Sequence, residues 1–310
     1  AQLKKQSIHP EIIPEAAKDM KIVYTPLHGT GNIPVRRILK ELGFENVYVV
    51  KEQELPDGDF PTVSYPNPED KNAFCLALKL AKELQLLIES KCTDEVGYLE
   101  AFTKDFQPES NEKLSENGVL AEKTMNTLLH VFEAYTEFYR VSHDEEVGER
   151  LKWIMDVFAD KVYNPKLKRQ EVFFDKNYNT IIDLYSYGHD IETAWLMDRG
   201  VEVLGDDHYK EKMSPITETL AENVYEVAFD GHSLANECCK GEVNDHRIWW
   251  VQAETVIGFL NEYQKHPQKT KFLEASEAEW EFIKEHVIDK RTGSEWFWEV
   301  HPDGSPIADR

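Results

Sequence analysis

After Leu84 strand signals become rare and the chain repeats one pattern, amphipathic helical segments separated by short polar breaks, through to the C-terminus. TMNTLLHVFEAYTEFYRV, EVGERLKWIMDVFADKVY, IETAWLMDRGVEVLG, VQAETVIGFLNEYQKH and FLEASEAEWEFIKEHVI all carry apolar residues three and four apart. A helix with one apolar stripe has to bury it against another element, so successive segments predict packed helical hairpins. A faint internal repeat sharpens this. NTLLHVFEAYTEFY, a polar turn, a helix ending in FADKVY and the β-like VFFD resemble AETVIGFLNEYQKH, a polar turn, a helix ending in KEHVI and EWFWEV. Hairpins that return through short strands predict a toroid of helix pairs, with too few hairpins here to close the ring.

The stretch before Leu84 has a different character. KIVYTP is a β-rich run, LHGTGN a turn with two glycines, IPVRRILKELGF a helical pattern and NVYVV a second strand. Strand, glycine turn, helix and strand make a βαβ unit with parallel strands. A proline-dense loop, ELPDGDFPTVSYPNPED, and the helical NAFCLALKLAKEL follow. The expected organisation is therefore multidomain, with a small α/β segment over 1–84 and an all-α domain over 85–310.

The chain carries 58 acidic against 35 basic residues, a formal charge of -23. That charge opposes contact with a phosphate backbone, so nucleic acid is not an expected partner. No apolar run reaches a membrane span and the first residues lack the apolar centre of a secretory signal, which sets a cytoplasmic location and no membrane partner as the expectation. Of the four cysteines, Cys238 and Cys239 are adjacent and Cys75 and Cys92 stand apart. Neither a zinc spacing nor a disulfide framework is present in that pattern.

Polar residues on the helical faces supply candidate chemistry. Asn126, His130 and Glu133 lie four and three apart and share a face, as do His189 and Glu192 in YGHDIETAWL, directly after Gly188. The internal repeat sets Asn126 against Glu254, four residues after Trp250 in WWVQAE. Each residue alone also has a structural reading: a satisfied helical histidine, a core tryptophan, or a carboxylate such as Asp190 near a helix start. Together, indole faces that stack on sugar rings and carboxylates that grip hydroxyls point to a carbohydrate cleft.

Three motifs, LSENGVLAEKTMNTLLHVFEAYTEFY, DLYSYGHDIETAWLMDR, and RIWWVQAETVIGFLNEYQ followed by VIDKRTGSEWFWEV, carry a family resemblance over about 86–310. This part resembles the cellobiose 2-epimerases of the N-acylglucosamine 2-epimerase superfamily. The resemblance implies an (α/α)6 barrel and an isomerase that inverts C2 of the reducing-end glucose of a β-1,4-linked disaccharide such as cellobiose. It implies proton abstraction and return through an enediolate, with neither metal nor other cofactor. By motif, His189 would be an acid/base, Glu192 would orient it and His130 would stabilise the enediolate. Tyr187, Trp249 or Trp250, Asn126 and Glu254 would contact substrate. The family's second acid/base histidine falls beyond Arg310 and its early helices are replaced by the α/β segment. The resemblance therefore implies a truncated barrel, impaired catalysis and self-association through exposed barrel edges.

KIVYTPLHGTG, its following helix and the loop PDGDFPTVSYPNPED resemble the second domain of phosphoglucomutases and phosphomannomutases. The phosphate-carrying serine and magnesium loop of that family lie in other segments, so His28 is not expected to be catalytic. A phosphohexomutase fragment, an aldose–ketose isomerase and a non-catalytic chimera are the alternatives.

Overall fold

A computed structural model describes residues 13, 17, 20–67, 70–94, 96–103, 105–112, 118–292 and 294–307. Most of the N-terminal stretch before Met20 and residues 113–117, which include the first four of the LSENG motif, lie outside the described residues. The chain divides into two compact units, residues 1–91 and 92–310. The division falls beyond Leu84 because one helix runs unbroken through that position.

The first unit contains strand β1 (Lys21–Tyr24), helix α1 (Asn32–Leu42), strand β2 (Asn46–Val49) and helix α2 (Cys75–Lys91). β1 and β2 pair in parallel, with Lys21 opposite Asn46 and Tyr24 opposite Val49. Gly43 ends α1 at φ 101°, a conformation that favours glycine. His28 is buried in the turn after β1, with Nδ1 3.0 Å from the Leu55 carbonyl and Nε2 2.8 Å from Thr62 Oγ1. Its ring ties that turn to the proline-rich loop, which is a structural task.

The second unit is mostly helical. Strand β3 (Lys123–Thr124) leads into α3 (Met125–Ser142) and α4 (Glu145–Val157). After β4 (Tyr163–Asn164), β5 (Arg169–Gln170) and β6 (Phe173–Phe174), strand β7 (Leu184–Ser186) leads into α5 (Tyr187–Leu204) and α6 (Asp207–Val227). The hairpin β8 (Glu237–Cys239) and β9 (Glu242–Asn244) precedes β10 (Arg247–Ile248), α7 (Trp249–Lys265), α8 (Thr270–Phe282) and β11 (Glu299–Val300). Three hairpins thus share one plan, in which a short strand runs without a break into the first helix.

Local chemistry explains where these helices begin and end. Thr124 caps α3 by accepting from the Thr127 N–H at 3.1 Å, and Asp144 caps α4 in the same way through Val147 at 3.1 Å. Gly205, at φ 68°, stops α5, and Asp206 then starts α6. The second helices α4 and α8 both end in a π-helical turn, Phe158–Val162 and Ile283–Val287, so the repeat seen in sequence extends to an unusual backbone detail.

Helices α3, α5 and α7 pack side by side, and α4, α6 and α8 back onto them. The main core lies between these layers and includes Ile191, Ala194, Leu220, Val224, Val251, Phe259 and Phe272. The first layer is held close by glycine. A Cβ on Gly200 of α5 would run into the Phe132 ring of α3, and one on Gly258 of α7 would collide with the Ile191 side chain and stand 3.0 Å from its carbonyl oxygen. A backbone oxygen cannot step aside as a flexible side chain can. Gly258→Ala is therefore expected to destabilise the second unit by about 1–3 kcal/mol, read as a lower midpoint in denaturant unfolding.

Candidate active site

Since β3, β7 and β10 run directly into α3, α5 and α7, the helices present equivalent positions at one end of the layer. His130, Glu192 and Glu254 occupy the same position counted from the first residues Met125, Tyr187 and Trp249. All three line one cavity of about 260 Å³ together with His189 and Trp250. A neighbouring cavity of about 370 Å³ is lined by Glu100, Asn126, Thr127, Ser186, His189, Glu237 and Trp250 among others. His189 and Trp250 thus border both spaces.

This placement corrects the register of the internal repeat. Asn126 is equivalent to Trp250, not to Glu254, and His130 takes the place opposite Glu254. The sequence comparison slipped by about one helical turn, which leaves every residue on its original face and so goes unseen in an amphipathic pattern.

The imidazole of His189 packs on Trp250, with ring centroids 4.8 Å apart, and its Nδ1 is 2.7 Å from Ser186 Oγ. Its ring keeps an edge on the cavities, yet burial pushes its pKa down to about 4, helped by the neighbouring His130. His130 is half-exposed, with Nδ1 2.9 Å from Glu133 Oε2 and Nε2 3.9 Å from Glu192 Oε1. The hydrogen bond to Glu133 holds the His130 pKa above that of a free imidazole, against the opposing effect of burial. Burial, reinforced by Glu254, pushes Glu192 up to about 7. Glu254 is raised as well, again by burial first, while its Oε2 accepts from Trp195 Nε1 at 2.7 Å. Near neutrality the site therefore combines an uncharged imidazole with a carboxyl that holds its proton part of the time.

Gly188 gives Trp250 its space. A Cβ there would stand 2.7 Å from Val251 Cγ2 and 2.8 Å from Trp250 Cη2, so the glycine admits the indole of α7. Trp249 points elsewhere: it is 37% exposed, beside Trp296 and Trp298, and borders neither cavity. Tyr187 also borders neither; its buried ring packs edge-on against Tyr185 at 4.6 Å within the core. Asp190 is fully buried behind the site and accepts from the Gln170 N–H at 3.4 Å.

Sequence reasoning missed Glu100, Ser186 and Trp195. Glu100 accepts from the Thr124 N–H at 2.6 Å and from Thr127 Oγ1 at 2.8 Å, so it clamps the start of α3. It lies in a non-helical stretch far from that helix in sequence, and no local signal marks it. Ser186 did leave a trace, as a serine at the N-cap position three residues before His189. Among the described residues, one group has metal-ligand spacing, Glu218, Glu262 and His266. Lys269 Nζ already lies 3.0 Å from Glu262 Oε1, and the group shares no residue with either cavity.

The folded pKa of Glu192, about 7, lies above that of an ordinary carboxyl, so the folded state binds more protons between about 4.5 and 7. Stability linked to this group is complete below that window and is lost as pH rises through it. Glu192→Gln is expected to gain thermal midpoint relative to the parent as pH goes from about 4.5 to 7, and a pH-independent difference would contradict the buried proton.

Comparison with known proteins adds two matches. Residues 72–310 match the family model for N-acylglucosamine 2-epimerase, and residues 2–89 match that for phosphoglucomutase/phosphomannomutase, alpha/beta/alpha domain II. The chain is 46% identical over 237 residues to a cellobiose 2-epimerase of Ruminococcus albus, covering 76% of this chain and 60% of that protein. The chain thus spans about 60% of the length of the curated epimerases it matches. The structure of cellobiose 2-epimerase from Bacillus thermoamylovorans B4167 aligns with a TM-score of 0.71 at 34% identity, covering 91% of this chain and 79% of that one. In the first unit, a probable phosphomannomutase of Haemophilus influenzae is 48% identical over 69 residues, 22% of this chain and 14% of that protein.

Proposed function

Because the chain belongs to the N-acylglucosamine 2-epimerase family, we propose that its helical unit inverts C2 at the reducing end of a β-1,4-linked disaccharide such as cellobiose. The observation that carries this reading is the convergence of His130, His189, Glu192, Glu254 and Trp250 on one cavity. His189 removes the C2 proton of the opened sugar. An imidazole must be uncharged to accept a proton, and burial keeps this one uncharged at neutral pH. The negative charge that grows on the enediolate then raises the proton affinity of the ring as transfer proceeds.

His130 serves the sugar oxygens in this reading. Glu133 favours its charged form, and a cation beside the forming enediolate stabilises the charge that develops in the transition state. Glu192, with its pKa near 7, relays or holds a proton next to His130. Trp250 offers an apolar ring face to a pyranose, while Asn126 and Glu254 bond hydroxyls. Trp249 and Tyr187 have no part in it.

Inversion requires the proton to return to the opposite face, and of the two imidazoles among the described residues lining the cavity this reading commits His189 to the C2 proton and His130 to the sugar oxygens. We expect exchange of the C2 proton to outrun formation of mannosyl product. The test is incubation with cellobiose in deuterated water, followed at C2 by proton NMR with product analysis. His189→Asn should lower exchange by about 10²-fold or more, and unchanged exchange would overturn the assignment of the base. A fructosyl product would reassign the site to aldose–ketose isomerisation, which moves the proton from C2 to C1 on a single face.

A further inference from the structure

Ser186 occupies the N-cap of α5, where a serine ordinarily accepts a hydrogen bond from the backbone of the first helical turn. Thr124, Asp144 and Asp206 all make that bond at the starts of α3, α4 and α6. Ser186 does not: no side-chain cap bond is formed, and its hydroxyl instead meets His189 Nδ1 at 2.7 Å. The serine is buried on β7, where its backbone pairs with Glu237 of β8, so the position of its oxygen is set by the sheet. A stabilising cap has been given up for a contact with the imidazole that borders both cavities.

We propose that Ser186 is a positioning residue that fixes the tautomer of His189, accepting from Nδ1–H so that Nε2 presents its lone pair to the substrate. The proposal rests on the base role of His189 given above and assigns the nitrogen that performs it. The direction of the bond follows from proton balance. If the hydroxyl donated to Nδ1, the single ring proton would sit on Nε2 and no lone pair would face the sugar. With Nδ1–H donating, Nε2 takes the C2 proton, and the imidazolium keeps the same bond to Ser186 without any rotation. The ring therefore passes between its two protonation states in one orientation, with Trp250 against its face.

The test is ¹⁵N NMR of the His189 ring at neutral pH, with its signals assigned by their loss in His189→Asn. The parent should show a protonated Nδ1 and a bare Nε2. Ser186→Ala should move the ring toward a mixture of tautomers, and Ser186→Thr, which keeps the hydroxyl, should restore the parent signals. Ser186→Ala also leaves a buried ring nitrogen without its partner, so its unfolding midpoint should fall and that of Ser186→Thr should not, while at a temperature where all three proteins are folded the rate of C2 exchange of Ser186→Ala at saturating cellobiose falls by about 10²-fold and KM stays put. A parent ring protonated on Nε2, or ring signals indifferent to Ser186→Ala, would overturn the proposal. The NMR result does not depend on any sugar reaction. Tautomer control by Ser186 without C2 exchange in the parent would sink the epimerase reading alone, and exchange with an indifferent tautomer would sink this proposal alone.

Discussion

The close approach of α3, α5 and α7 is the constraint on which the site depends. Where Gly200 meets Phe132 and Gly258 meets Ile191, the helices come nearer than any side chain would allow. Only at that spacing can His130, Glu192 and Glu254, each from a different helix, share one cavity. Gly188 applies the same device at the site itself by admitting the indole of Trp250. Backbone proximity therefore comes first, and the chemical cluster follows from it.

Crowding these groups has an electrostatic effect that none would show alone. The chain as a whole is strongly acidic, and the site adds three carboxylates, Glu133, Glu192 and Glu254, around two imidazoles. Burial pushes the Glu192 carboxyl up and the His189 imidazole down, while Glu133 pulls His130 up. Two histidines with similar intrinsic chemistry thus part company, one enclosed and pushed down by burial, the other half-exposed and pulled up by the carboxyl of Glu133. Such a division of titrating groups is what acid–base work at neutral pH requires.

The first unit shows how far fold and chemistry can separate. Its parallel βαβ arrangement and its match to the second domain of phosphohexomutases agree with the sequence pattern. Yet His28, the residue there that most resembles a catalyst, is a buried clamp between two loops. The two family matches overlap across residues 72–89, most of which lie in α2. An amphipathic helix is generic enough to satisfy both descriptions, and so a boundary read from a change of pattern landed inside it.

Much of the helical unit was legible because periodicity is a local property. The three-and-four spacing marked the helices, and it put His130 on one face with Glu133 and His189 on another with Glu192. That same periodicity hid the one-turn slip that matched Asn126 to Glu254, since a full turn preserves the face. It also could not separate Trp249 from Trp250, neighbours whose side chains end in different surroundings. Tyr187 looked like a site residue by its motif and lies in the core; Glu100 carried no signal and borders a cavity. The sequence by itself determined which residues lie on which helical face and which stretches pair strand with helix. Tertiary structure alone decided which faces meet, which nitrogen of His189 is engaged and which carboxyl keeps its proton, because burial and distance are properties of the assembled layers.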